Sequence, residues 1–178
     1  MKHSLFTIAM LATLASAFAV AQQLAKPDQE KSQDSGAVCP LHDTHSKMNE
    51  RGEKGMGFSQ TATTHHFLLT SDGGLIQVEA NDPKDVATRD SIRIHLAHIA
   101  HAFSEGDFDI PMFVHDTVPP GVLDMKRFKE KIAYSFQETP AGGRVVITTS
   151  NREALAAIHK FLCFQIDEHQ TNDPKEVR

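Results

Sequence analysis

Residues 65–80 read His-His-Phe-Leu-Leu-Thr-Ser-Asp-Gly-Gly-Leu-Ile-Gln-Val-Glu-Ala, and residues 90–103 read Asp-Ser-Ile-Arg-Ile-His-Leu-Ala-His-Ile-Ala-His-Ala-Phe. The first stretch is a β-hairpin: two apolar arms flank Ser71-Asp72-Gly73-Gly74, a strong turn signal. A four-residue loop pairs Leu69 with Ile76, Phe67 with Val78 and His65 with Ala80, and puts them all on the buried face. His65 then stands at the edge of that face, and His66 points outward beside Glu79. The second stretch is a helix, because Ile92, Leu96, Ile99 and Phe103 recur at three- and four-residue steps. At roughly 100° per residue, His95 lies about 60° from the middle of that stripe, His98 about 120° away, and His101 nearly opposite. His95 therefore borders the core, His98 lies on a flank and His101 faces water.

The C-terminal half repeats the plan. Ile132, Tyr134 and Phe136 alternate on one arm, Val145 and Ile147 on the other, around Pro140-Ala141-Gly142-Gly143. Asn151 caps a last helix whose stripe is Leu155, Ile158, Leu162 and Ile166. Gly73-Gly74 aligns with Gly142-Gly143, Phe67 with Phe136, His65 with Tyr134, and Ile94-His95 with Ile158-His159. The fold class is α+β: a ββα–ββα tandem repeat over residues 61–170, a four-stranded antiparallel sheet with two helices on one face. A split βαββαβ arrangement is the alternative if one strand is mis-assigned. Gly106 ends the first helix. Phe108–Pro120 reads as a buried crossover holding Met112 and His115, followed by a short helix near Asp124–Glu130. Phe161 and Phe164 lie off the last helix's stripe, which points to a cover on its second side, such as a second copy of this chain in a homodimer.

The ends read differently. Residues 1–21 have the form of a signal peptide: Lys2 and His3, a short apolar run from Leu5 to Leu14, and Ala19-Val20-Ala21 before Gln22. The expectation is an exported protein, periplasmic or secreted, with no membrane contact after signal removal. Residues 22–60 read as a flexible tail and a Gly-rich loop, with Phe58 as its anchor; residues 171–178 are a polar C-terminal tail. The formal net charge is −5, and loss of Lys2 makes it more negative, which disfavours nucleic acid. Two cysteines, Cys39 and Cys163, would meet an oxidising compartment, as a disulfide, a metal thiolate or inert thiols.

Eleven histidines are the chain's chemical signature. In the tail, Cys39, His42 and His45 are spaced three apart, and thiolate and imidazole are preferred ligands of zinc and copper. Cys39-Pro40-Leu41-His42 is similar to the Cys-Pro-Met-His of short heavy-metal-binding segments in bacterial metal-efflux proteins, with Leu41 in place of the methionine. In the folded part, His65, His95 and His98 are expected to converge, with Met56 closing the site from the preceding loop. His159 and Cys163 are four apart on the last helix. Each also has a plain structural reading: His95 as a hydrogen-bonded core-edge residue, Cys163 as a small apolar one, Met56 as core filler.

Met56-Gly57-Phe58-Ser59-Gln60, Thr64-His65-His66-Phe67 and Arg93-Ile94-His95-Leu96 resemble a family of small exported bacterial proteins of unestablished role, across most of residues 39–173. Its members sometimes carry an aspartate carbamoyltransferase label. That activity is not expected here, because the Ser-Thr-Arg-Thr-Arg phosphate loop is missing and the chain is too short for two such domains. No Gly-x-Ser-x-Gly elbow, phosphate loop or dinucleotide fingerprint occurs. The leading expectation is a periplasmic metal-binding protein holding a copper or zinc ion, copper ahead of zinc. The alternatives are a non-catalytic binding or assembly module that oligomerises through its second helix, and a metal-dependent enzyme of unknown reaction.

Overall fold

The computed structural model describes residues 40–178, with side chains from Ser46 onward. The leader at 1–21, the tail up to Cys39, and the side chains of His42 and His45 lie outside the described residues. Strands β1 (Thr63–Thr70), β2 (Gly73–Ala80), β3 (Ile132–Thr139) and β4 (Gly142–Thr149) form one antiparallel sheet in the order β1-β2-β4-β3. Helices α2 (Val86–Ser104) and α5 (Arg152–His169) pack on the sheet, and the chain is α+β as expected. Asp85 caps α2 by accepting from Thr88 N, and Asn151 caps α5 by accepting from Glu153 N and Ala154 N.

The hairpin loops are tighter than the sequence suggested. Thr70 pairs with Gly73, so only Ser71 and Asp72 form the first turn, and Thr139 pairs with Gly142 across Pro140-Ala141. Phe67 therefore lies opposite Ile76, and His65 opposite Val78 rather than Ala80. The shift is two residues, so the faces are preserved. His66 pairs with Gln77, and Thr64 takes the place beside Glu79. The glycines were read as turn residues, yet they serve the sheet's interior. A Cβ on Gly74 would collide with the Leu162 side chain of α5, and one on Gly142 with the carbonyl of Val78 across the β2–β4 seam.

Each of the helices α2 and α5 grips the turn of the hairpin in the other half of the chain. From α2, Arg93 donates to Gly142 O at 3.0 Å and Thr139 O at 2.7 Å, and pairs with Glu138 at 2.9 Å. From α5, His159 Nε2 lies 3.0 Å from Thr70 O and 3.1 Å from Gly73 O, carbonyls to which it donates. His159 thus works at the turn of the first hairpin. Cys163 is a free, half-buried thiol in a surface groove with His159.

The region expected to be a flexible tail and glycine loop is helical over α1 (Pro40–Met56). A Cβ on Gly55 would make ordinary contact with Phe113 and Val114 of α3 (Asp109–His115), whereas one on Gly52 would strike the Gln60 side chain. Arg51 Nε donates to Val114 O at 2.9 Å across the same seam. The crossover after α2 is only partly buried, with Phe113 and Val118 exposed, and it contains α3 as well as α4 (Val122–Arg127). Phe161 is only 1% exposed, with Phe103 and Phe108 at ring-centre distances of 5.9 and 6.1 Å. It packs edge-on against the stacked Phe103–Phe108 pair rather than between them, and is spent inside its own chain. Replacing Phe161 with alanine should therefore cost about 3–5 kcal/mol in a urea titration.

Candidate functional site

Six elements converge on one cavity of about 70 Å³ under the helical layer. The sheet contributes His65 from β1, α2 contributes His95, α3 contributes His115, and α5 contributes Gln165 and His169. Met56, at the end of α1, closes another side. The remaining wall is apolar, built from side chains such as Phe67, Val78, Leu96 and Phe161. The volume suits one or two waters or a similarly small guest.

The rings form a continuous run. His65 stacks on His169 with ring centres 5.5 Å apart and planes 13° apart. His169 meets His115 edge-on at 5.1 Å. Phe58, the expected anchor, bridges the other flank, 6.3 Å from His65 and 5.6 Å from His95. His115 Nε2 is 3.0 Å from Gln165 Oε1 and donates to it as the amide is oriented. Its Nδ1 is 3.7 Å from Glu168 Oε2, too far for a hydrogen bond. His115 Nδ1, His65 Nε2 and Gln165 Nε2 are buried atoms without a hydrogen-bond partner. Each such atom costs about 1–3 kcal/mol, so three near one cavity call for a guest that satisfies them.

Burial keeps these imidazoles neutral. His65 is pushed down to about 4, first by desolvation and then by His95 and His66. His95 also falls to about 4, by desolvation and then by His98. His169 falls to about 3, by desolvation and then by His65 and His115. His115 is lowered too, because desolvation outweighs the support of Gln165 and Glu168. At neutral pH every ring therefore keeps one nitrogen lone pair free of a proton.

No family model, curated protein or solved structure matches this chain. The site must be argued from its own geometry. The structure brings His65, His95 and Met56 to the same cavity. His98 is exposed and does not join them; it lies in an outer groove. His115 and His169 were not expected. The signal for His169 was present: Phe161, Gln165 and His169 follow one another at four-residue steps, on the buried face of α5. That face is turned by about one residue from the stripe read in the sequence, and Leu155 is only half-buried. Among the described residues, no three His, Cys, Asp or Glu side chains are gathered closely enough to hold one ion.

The residues after α5 run along β1. Asp173 accepts from Phe67 N at 2.9 Å and lies 3.0 Å from His66 Nδ1, and Arg178 N donates to Leu69 O at 3.1 Å. The polar tail is thus a strap over the sheet edge, a few residues beyond His169. Burial raises Asp173, but hydrogen bonds with Thr171, Phe67 N and His66 outweigh it and hold the carboxyl below its ordinary value.

Two predictions follow from this geometry. In the unfolded chain the histidines titrate near 6.5, so between about 6.5 and about 4 the unfolded state binds more protons than the folded one. Stability should fall as pH drops through that window, by roughly 1 kcal/mol per pH unit for each such histidine, and His169→Phe should flatten the slope seen in urea midpoints. Separately, Asp173→Ala should cost about 1–3 kcal/mol and speed amide hydrogen exchange at Phe67.

Proposed function

We propose that this protein binds a single transition-metal ion, copper ahead of zinc, in the cavity ringed by His65, His95, His115 and His169. The observation that carries the reading is the meeting of neutral imidazoles, unpartnered ring nitrogens and the Met56 thioether around one cavity. Imidazole lone pairs are donors for both metals, and a thioether tilts the choice toward Cu⁺. Two imidazoles sharing a tetrahedral ion have ring centres roughly 5 Å apart, given metal–nitrogen bonds of about 2 Å. The His65–His169 and His115–His169 separations of 5.5 and 5.1 Å are of that size, as they also are for ordinary packed rings. Their nitrogens do not yet point at one centre, so loading requires ring rotations. Gln165 would orient His115 as an outer partner.

We also read the chain as exported, on the strength of residues 1–21, and its two hairpin–helix units as an internal repeat. The repeat is supported by the β2–β4 register, where Gly74 faces Ile147 and Gly143 faces Val78, the reciprocal pairing a pseudo-twofold axis requires.

Equilibrium competition titration of the full chain with Cu⁺, Cu²⁺ and Zn²⁺ tests the proposal. One ion should bind more tightly than micromolar, and His169→Ala should weaken it by at least about tenfold. Changing Cys39 to Ser and both His42 and His45 to Ala should leave that affinity in place. Binding no tighter than micromolar, or binding lost with the tail residues alone, would overturn the cavity as the site.

A further inference from the structure

The sheet order β1-β2-β4-β3 leaves β1 and β3 as its two edges. Two bonds at the ends of the β2–β4 seam fix which backbone groups each edge presents. Ala80 N donates to Ala141 O at 2.9 Å, and Thr149 N donates to Asp72 O at 2.8 Å. In an antiparallel ladder the N–H and C=O of one residue point the same way, and successive residues alternate. The odd-numbered residues of β4 therefore bond to β2, and the even-numbered ones to β3. By the β3–β4 register, β3 turns Ala133, Ser135, Gln137 and Thr139 toward β4. Tyr134, Phe136 and Glu138 turn their N–H and C=O groups to the outer edge.

The same count on β1 directs Phe67 and Leu69 to the opposite edge, and there the C-terminal strap takes them. Asp173 accepts from Phe67 N, and Arg178 N donates to Leu69 O. In the alignment of the two hairpin–helix units, these positions correspond to Phe136 and Glu138. Among the described residues, no hydrogen bond reaches the outward backbone groups of Tyr134, Phe136 or Glu138. The chain after α2 runs on into α3 and supplies no strap. Nor does the β3 sequence guard its own edge. Ile132–Gln137 is Ile-Ala-Tyr-Ser-Phe-Gln, without a proline or a charge, and its register has no bulge. Natural edges are blunted by lysine, proline or bulges. Glu138 is already held by Arg93 at 2.9 Å.

We propose that β3 pairs with β3 of a second copy of this chain, antiparallel about a two-fold axis at Ser135, so that two four-stranded sheets become one. The pairing is independent of any ligand in the cavity. Tyr134 then lies opposite Phe136 of the partner subunit, and each residue's outward N–H and C=O are satisfied. Two observations favour a second copy over an unrelated strand. The register is self-complementary: aromatic rings oppose each other on the helix side, and the uncharged Ala133, Ser135 and Gln137 meet on the open side. The helices also fit. Helix α2 packs on both β3 and β4, so strands about 4.8 Å apart put the two α2 axes about 10 Å apart, a normal packing distance. The flank of α2 that carries Arg93 over β3 otherwise bears Ala97, Ala100 and Ser104, which are small enough for that approach.

Analytical ultracentrifugation of the full chain, with residue-resolved hydrogen exchange, tests this surface. The unaltered chain should form a dimer with Kd of about 10 μM or tighter. Ser135 is exposed, and its side chain has no role in the packed face. Ser135→Lys and Ser135→Glu each place like charges opposite one another at the axis and should weaken association at least about tenfold. An equimolar mixture of the two variants should restore the dimer. The Tyr134 and Phe136 amides should exchange slowly in the dimer and rapidly in either variant alone. Those of Ala133 and Gln137, bonded to β4, should stay protected throughout, which reports an intact fold. A monomeric unaltered chain, a dimer that survives both substitutions, or a mixture that stays monomeric would each overturn the pairing.

Discussion

The β2–β4 seam is the constraint on which the rest of the structure depends. It joins two hairpins that, alone, would each be marginal in water, and it makes the sheet wide enough for two helices. The seam closes because glycine stands where a side chain would strike backbone or helix. Gly142 lies against the Val78 carbonyl, and Gly74 lies beneath Leu162 of α5. With α5 drawn close at Gly74, the same helix delivers Phe161, Gln165 and His169 to the sheet's buried face. Moving the seam outward would lift α5 and dissolve the ring run before it disturbed either hairpin.

A core of this size could have been made from aliphatic side chains at lower cost. Histidine in its place carries three penalties: burial depresses its basicity, unpartnered ring nitrogens forfeit hydrogen bonds with water, and neighbouring rings repel one another once more than one is protonated. Such a cluster persists only where the surrounding structure enforces it. Here the enforcement is visible on every side, from Phe58 between His65 and His95 to Gln165 against His115. Several local rules are broken together at this one place.

Much of the fold was legible because its signals are local. Alternation over β1 and β3 and the helical stripe of α2 each follow from a single period, and the cap at Asn151 from a single side chain. Where the signal was tertiary, the reading failed. Gly73-Gly74 looks the same in sequence whether it makes a turn or fits under a helix. α1 was read as a loop because Gly52 and Gly55 weaken a helix in isolation, while its partner α3 was itself hidden by Pro111. The site divided along the same line. His65 and His95 could be placed from strand and helix faces. His115 ends a seven-residue helix that has no periodicity to read, and His169 lay just past the stripe assigned to α5.

The His65-His66 dipeptide ties these observations together. Adjacent residues on a strand point to opposite faces. His65 turns inward and stacks on His169, while His66 turns outward and holds Asp173. Both grips fall on the same short piece of chain. Between them Gln170 and Asn172 adopt left-handed conformations, φ 51° and 58°, which end α5 and turn the chain back along β1. A left-handed non-glycine residue is held there only by its surroundings, and two so close together require an anchor on the far side. Asp173 supplies it, with the backbone contact from Arg178 to Leu69 beyond. The position of the fourth imidazole is therefore set from both ends of the turn, by a ring stack within the chamber and by a carboxylate outside it.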